Sequence, residues 1–520
     1  MVAPPAQVQG LGCSSTVVPS AGSALFRPLL AWLVPDVALS AALVTFALVT
    51  LLGGATGLFR DSDAGWHIQT GEAILNTRAL PYTDPYSLTH RGRPWFAWEW
   101  GADVLMGLAH RWAGLPGVLL LYATTLAALS WLWFRYCWRL GAAFLTACAL
   151  CPLMVATSSF HWLARPHIVG WLLTLLTLYL IERAPLHPLL AALLGALWAN
   201  VHASFFLGAL ILLLWPLGQW LRSRIWDEPP KRFSGLPAAC FLLATFLNPY
   251  GWRLHQHVME FLADSELTQI IGEFQTFNFY VPGALPILVT VLIAAGAIPL
   301  MIIQRRLDHA LWSVLLLAAA LRSARLLPLV GLALLPLAAR AFTLALRRPS
   351  GLRPAVSRAI ESVLNYSDRL RRLDQRFHGG ALAGLAFLVA TSLMLTAWAR
   401  AQIGFPAATF PVAAAQAIES LPEEARIFAS DSFGGYLIYR FAGRRPVFID
   451  GRSDFYGLAH VKTYLRILEV RPQWKADFDR FGFTHALLYN RYSLTAALLD
   501  CGWRVRYRDA LVTLLEKPHS

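Results

Sequence analysis

The sequence predicts a multi-span α-helical membrane protein with a C-terminal extracytoplasmic α/β domain, and three observations lead there. The chain is 57% hydrophobic and only 14% charged, with a mean hydropathy of +0.50, well outside the soluble range. Apolar runs such as "VALSAALVTFALVTLLGGATGLF" and "ALPILVTVLIAAGAIPLMII" recur along it, and as helices rising about 1.5 Å per residue they are long enough to cross a hydrocarbon core. After Pro406 these runs stop and short mixed segments alternate instead.

Residues 1–33 lack a basic start followed by a short apolar core and a small-residue cleavage site, so they read as a flexible tail and not a cleaved signal. A membrane part over 34–403 holds candidate spans near 36–58, 117–134, 141–158, 168–181, 188–199, 204–220, 235–247, 282–303, 309–321, 326–341 and 380–399. That makes about eleven, several shorter than the usual ~20 residues. Between the first two lies a large loop, 59–116. From Asp63 to about Arg78 it predicts a short helix with Ala64, Ile68, Gly71 and Leu75 on one edge and Asp63, His67 and Thr70 on the next. Such a helix would lie in the membrane interface. "LPYTDPYS" ends it, and "RPWFAWEW" puts three tryptophans where aromatic anchors sit.

Over 404–520, "RIFAS", "PVFID", "THALLYN", "WRVRYRD" and "LVTLLEK" predict short strands, and "PVAAAQAIES", "LAHVKTYLRILEV" and "LTAALLDC" predict helices. Alternation of this kind predicts a small α/β domain.

Arginine and lysine crowd alternate connections: Arg135 and Arg139, Arg183, Arg222 to Arg232, Arg305 and Arg306, then Arg340 to Arg376. The positive-inside rule makes that set cytoplasmic, with the N-terminus, and the C-terminal domain periplasmic or extracellular, in a bacterial-type inner membrane. The formal charge of +14 then belongs to cytoplasmic loops and calls for no nucleic acid. The six cysteines have neither metal-ligand spacing nor a disulfide pattern.

The other set of connections collects the conspicuous polar residues: Asp61, Asp63, His67 and Asp84; His161, Arg165 and His167; Asn200 and His202; Asn248, His255 and His257; Glu273; Arg322 and Arg325. Solvation alone would scatter such residues over both faces, so their placement predicts a catalytic or binding chamber at one end of the bundle. An aspartate there can act as general base toward an acceptor hydroxyl, or the D-x-D pair can hold a divalent cation such as Mg or Mn. It can equally cap a helix N-terminus. Arg165, Arg322 and Arg325 can stabilise charge on a phosphate leaving group, or snorkel at the lipid interface. Asn200 and His202 can satisfy a broken backbone, "NPYG" can form a turn, and Glu273 is either a second carboxylate or a loop anchor. Asp450, Arg452 and Asp454 in "FIDGRSDFYG" combine turn chemistry with an Asp–Arg pair suited to docking the domain on the membrane part.

An aspartate just past the first span, a following helix and then "P-Y-T-D-P-Y-S" in a long outer loop resemble the GT-C superfamily of membrane glycosyltransferases. The likeness is nearest to its protein-mannosyltransferase-like and aminoarabinose-transferase-like branches, over residues 35 to 400. The resemblance implies an inverting transfer of sugar from a polyprenyl-phosphate donor to an acceptor on the outer face, with an acidic residue of the first outer loop as base. Asp61 or Asp63 takes that position, Asp63 first and Asp61 as its partner or a metal ligand, and Asp84 stands near a second acidic position. His67, Asp84, His161, Arg165, His167, Asn200, His202, Glu273, Arg322 and Arg325 would bind substrate. The "D-x-H-P-P" signature of the protein-mannosylating branch is absent, so the acceptor class stays open. Two rivals remain: a transporter or flippase for a lipid-linked or anionic substrate, and a noncatalytic envelope assembly protein. The polar clusters at one end of the bundle, not its midplane, weigh against transport.

Overall fold

The computed structural model describes residues 31–229, 233–348, 351–377 and 379–518. Most of the predicted tail, with Cys13, and both Lys231 and Arg232 lie outside the described residues. Each predicted span contains a helix: α1 (Val37–Thr50), and, beyond the first loop with its α2 (Asp63–Thr77) and α3 (Trp100–Ala113), α4 (Leu115–Leu140). There follow α5 (Phe144–Ser159), α6 (His167–Ile181), α7 (Pro188–Ala199), α8 (Phe205–Ile225), α9 (Leu236–Ala244), and α10 (Trp252–Ala263) in a connection. The bundle continues with α11 (Leu285–Ile303), α12 (Leu307–Arg322) and α13 (Ala324–Arg347). An amphipathic, arginine-rich α14 (Pro354–Asp374) precedes α15 (Gly380–Met394).

Four of these, α4, α8, α11 and α13, are long and apolar enough to cross a membrane, and α1, α5, α6, α7 and α15 are shorter apolar helices. Their exposed leucines, among them Leu189, Leu193, Leu292 and Leu388, suit contact with lipid. Polar pairs join the helices inside: Thr45 with Ser130 at 2.8 Å and Thr157 with Thr290 at 2.7 Å, as expected where small hydroxyls bridge apolar helices. α13 carries a π-turn over Val330–Leu334. Pro336 has no N–H to offer the preceding turn, which loosens there, and the Trp133 indole donates to the Gly331 carbonyl at 3.1 Å.

The C-terminal region forms a four-stranded sheet, β1 (Ile427–Ala429), β2 (His485–Tyr489), β3 (Arg504–Arg508) and β4 (Val512–Glu516), in the order β1-β2-β4-β3. β1 runs parallel to β2, while β4 is antiparallel to both its neighbours. Helices α16 (Asp431–Arg440), α17 (Ser453–Leu468) and α18 (Ser493–Asp500) accompany it, around a core that includes Phe428, Phe448, Phe478 and Phe483.

Two expectations are corrected. "PVFID" is not a strand of this sheet: Val447 instead pairs with the first loop, donating its N–H to the Tyr86 carbonyl at 3.0 Å and accepting from Leu88 at 2.7 Å. Nor does α2 lie free on the surface of the bundle, as expected of an interfacial helix. It is wedged between α3 and α16, with Asp63, Ala64, Gly65, Trp66, His67, Ile68, Thr70, Gly71 and Ile74 all buried. Glycines allow this: a Cβ on Gly65 would stand 2.2 Å from the Gly435 carbonyl oxygen, and one on Gly71 1.8 Å from that of Asp103.

Candidate active site

The α2 wedge carries its first residue, Asp63, to the wall of a cavity of about 370 Å³. Asp61, two residues earlier, accepts the Asp63 backbone N–H at 2.9 Å, so one aspartate of the D-x-D pair satisfies a free N–H at the start of α2. Both carboxylates also face Arg165, from the α5–α6 connection, at 2.9 Å for Asp61 and 3.0 Å for Asp63. Glu273 joins them at 2.8 Å from the same guanidinium and 3.3 Å from Arg325. Three carboxylates from two separate loops therefore converge on one arginine.

The electrostatics divide these acids. Burial pushes the Asp63 carboxyl up to about 7, with Arg165 opposing and Asp61, Glu273 and Asp450 adding to the rise. Burial acts the same way on Glu273, but Arg165, Arg325 and His161 outweigh it and hold that group at about 2. Burial raises Glu99 to about 8. One acid is thus poised near neutrality beside one that stays ionised, the environment-driven separation that acid–base chemistry uses.

Behind Asp63 stands a buried relay. His67 Nδ1 lies 2.6 Å from Asp103 Oδ1, and its Nε2 is 3.6 Å from Glu99. Burial lowers His67 well below, and raises Asp103 well above, the usual range. Burial thus disfavours charge on both partners of this 2.6 Å contact.

The roof comes from the C-terminal region. Asp431, Ser432, Asp450, Gly451, Arg452 and Asp454 line the cavity, and a Cβ on Gly451 would come within 1.9 Å of the Asp63 carboxylate. That absent side chain lets the loop close over Asp63 and exclude water from it. Asp454 accepts from His257 Nε2 at 2.9 Å, tying α10 to the roof.

Beside the chamber is a second cavity of about 390 Å³, mostly apolar, between α6, α8, α10, α12 and α13. Trp171, Phe206, Leu207, Val258 and Leu326 line it, with His167, His202, Arg322 and Arg325. The two cavities share Trp98, Phe261, Phe274 and Arg325.

The predicted residues fall into three groups. Asp61, Asp63, His67, Arg165, Glu273 and Arg325 line the polar chamber, while His167, His202, Arg322 and again Arg325 line the apolar groove. His161 stands behind the chamber, 3.8 Å from Glu273. Asp84 and Asn200, expected at the substrate, line neither cavity. Asp84 is buried 2.8 Å from the Arg452 guanidinium and accepts the Ser87 N–H at 2.8 Å. Asn200 donates to the Ala196 and Leu247 carbonyls and accepts from the Trp100 indole, closing the end of α7. The expected turn at "NPYG" and the expected Asp450–Arg452 docking pair are both present.

The Asp61 and Asp63 oxygens face the Arg165 guanidinium, and among the described residues no three His, Cys, Asp or Glu side chains group as a metal site. Sequence reasoning missed Glu99 and Asp103. The signal for Glu99 was a lone carboxylate inside the tryptophan-rich "RPWFAWEW", read only for its aromatics; Asp103 offered none.

No protein-family model matches the chain, and no curated protein matches it in sequence. Among solved structures it is similar to the Archaeoglobus fulgidus oligosaccharyltransferase tethered with an acceptor peptide, at TM-score 0.55 and 11% identity over 87% of this chain and 68% of that one. The apo form of the same enzyme gives TM-score 0.54 and 11% identity, over 87% and 69%. ArnT from Cupriavidus metallidurans bound to undecaprenyl phosphate aligns over 96% of this chain and 98% of that one, at 13% identity and a lower TM-score of 0.44. The helical bundle of this chain, with the C-terminal region, thus shares the fold of the oligosaccharyltransferase.

Proposed function

We propose that the protein is an inverting glycosyltransferase that moves a sugar from a polyprenyl-phosphate donor to an acceptor on the outer face of a bacterial-type inner membrane. The observation that carries this reading is the junction at Arg325: a polar chamber holding a near-neutral aspartate meets an apolar groove at a guanidinium. A lipid tail suits the groove, its phosphate suits Arg325 and Arg322, and the sugar then reaches the chamber. The fold-sharing oligosaccharyltransferase was solved with a tethered acceptor peptide; the acceptor class here stays open between protein, lipid and glycan.

In the transfer, Asp63 takes the proton of the acceptor O–H as that oxygen attacks the anomeric carbon from the face opposite the phosphate. The bond from that carbon to the phosphate oxygen breaks, and its electron pair leaves on the polyprenyl phosphate, where Arg325 and Arg322 stabilise the charge. Arg165 holds Asp61, Asp63 and Glu273 in place and supplies the positive charge within the carboxylate cluster. His67 and Asp103 support Glu99 at the chamber wall, and the roof loop at Gly451 keeps bulk water off Asp63.

The test is transfer from a panel of radiolabelled polyprenyl-phosphate sugars by the purified full chain, with Asp63→Asn and Asp61→Asn in parallel and with EDTA added. Asp63→Asn should lower turnover at least about a hundredfold, the scale of a lost general base, and EDTA should leave the wild-type rate unchanged. Turnover that survives Asp63→Asn would return the aspartate to helix capping. Labelled lipid crossing liposomes without covalent change would replace transfer with transport.

A further inference from the structure

The end of the bundle opposite the chamber holds a cavity of about 530 Å³ that the transfer chemistry does not use. It lies among the α6–α7 connection, α8, the start of α9, the α11–α12 connection and α13. Its acids already have partners. Glu182 is 3.0 Å from both Arg306 and His309, and Asp308 is 2.8 Å from Arg306. Of the remaining polar groups Arg222 is paired with Glu228 at 2.7 Å, Gln219 and Ser234 offer both donors and acceptors, and two guanidinium groups are in excess. Arg340 meets only the Gln304 amide oxygen, at 3.2 Å, and neither it nor Arg183 has a carboxylate within ion-pair distance among the described residues. Trp215, 3% exposed on the cavity wall, has an indole N–H with no acceptor among the described residues. Pro185, Leu186, Leu212 and Pro237 make the rest of the wall apolar.

We infer that this cavity is a second binding site, for a phosphate-bearing anion. Two guanidinium groups without a carboxylate partner, set in an apolar wall at the end of the bundle, match a ligand with several acceptor oxygens and a negative charge. Basic pockets between helices at this depth take phospholipid headgroups, and the apolar wall would accept the adjoining glycerol and acyl carbons. A soluble phosphate would meet the same donors.

The experiment is native mass spectrometry of the full chain in detergent, titrated with phosphatidylglycerol, with phosphatidylcholine and with inorganic phosphate. Wild type is compared with Arg340→Gln and with Arg183→Gln, the latter at an exposed position where the substitution leaves packing intact. Retention of phosphatidylglycerol over phosphatidylcholine, weakened about tenfold by either substitution, supports the site with a lipid as its ligand. Inorganic phosphate binding weakened by the same substitutions, without lipid preference, supports it with a soluble anion. Binding of both ligands unchanged in variants that elute and melt like wild type overturns it. The assay reads no sugar transfer, so its failure and the failure of the proposed chemistry are separate results.

Discussion

Asp63 stands between a guanidinium and a glycine, and each sets one half of its behaviour. Arg165 at 3.0 Å favours the ionised form, while the loop that closes at Gly451 removes the water that would favour it further. Burial prevails, leaving the carboxyl at about 7. A base is active only when deprotonated, so the transfer rate should climb about tenfold per pH unit below about 7 and level off above it. Initial rates from about pH 5 to about pH 9, at saturating donor, would show this; a flat profile, or one falling as pH rises, would remove Asp63 from the base position. Both Asp61 and Asp63 were legible in the sequence, because carboxylates just past an apolar run are costly without a role. Glu99 was hidden by its three tryptophan neighbours, since nothing in a local pattern says which side chain turns inward.

Helix α2 shows what a pattern can and cannot tell at the scale of an element. Its bounds follow from the sequence almost to the residue: Asp61 caps one end, and Arg78 at φ 55° closes the other in the left-handed conformation. Its environment does not follow. Gly65 and Gly71 look like weak points in an amphipathic helix, yet they are where α16 and α3 approach at backbone distance. On the facing helix, a Cβ at Gly435 would stand 2.2 Å from the Ser62 carbonyl oxygen, and backbone cannot swing aside. Gly435→Ala should therefore destabilise the α2–α16 crossing by about 1–3 kcal/mol, read as a lowered melting temperature. Gly384→Ala is the control, since nothing lies within 4 Å of its Cβ. Equal melting of the two variants would mean the crossing adjusts freely.

At the scale of the whole molecule, Arg452 joins the C-terminal region to the first loop. It is 3% exposed, bonded to Asp450 at 2.7 and 2.8 Å and to Asp84 at 2.8 Å, and lies 4.6 Å from the Trp95 ring centroid. Removing the cation leaves two buried carboxylates without their partner. Arg452→Met should cost about 3–5 kcal/mol, exposing the junction to limited proteolysis and abolishing transfer as the roof lifts from Asp63. A variant as protease-resistant as wild type would show that the glycine crossing, the Val447 pairing and the His257–Asp454 contact hold the roof without it.

The sequence by itself determined the membrane bundle, the alternation of its connections, and the gathering of Asp61, Asp63, Arg165, Glu273 and Arg325 at one end. Apolar run length and charge placement are local quantities, and connectivity turns them into sidedness. Tertiary structure alone decided that Arg165 stands among three carboxylates, that Asp84 and Asn200 line neither cavity, and that the roof loop presses on the aspartate. Those outcomes depend on ångström-scale approach between segments a hundred residues apart or more, where a missing Cβ or a shared guanidinium, invisible to any periodicity, sets the chemistry.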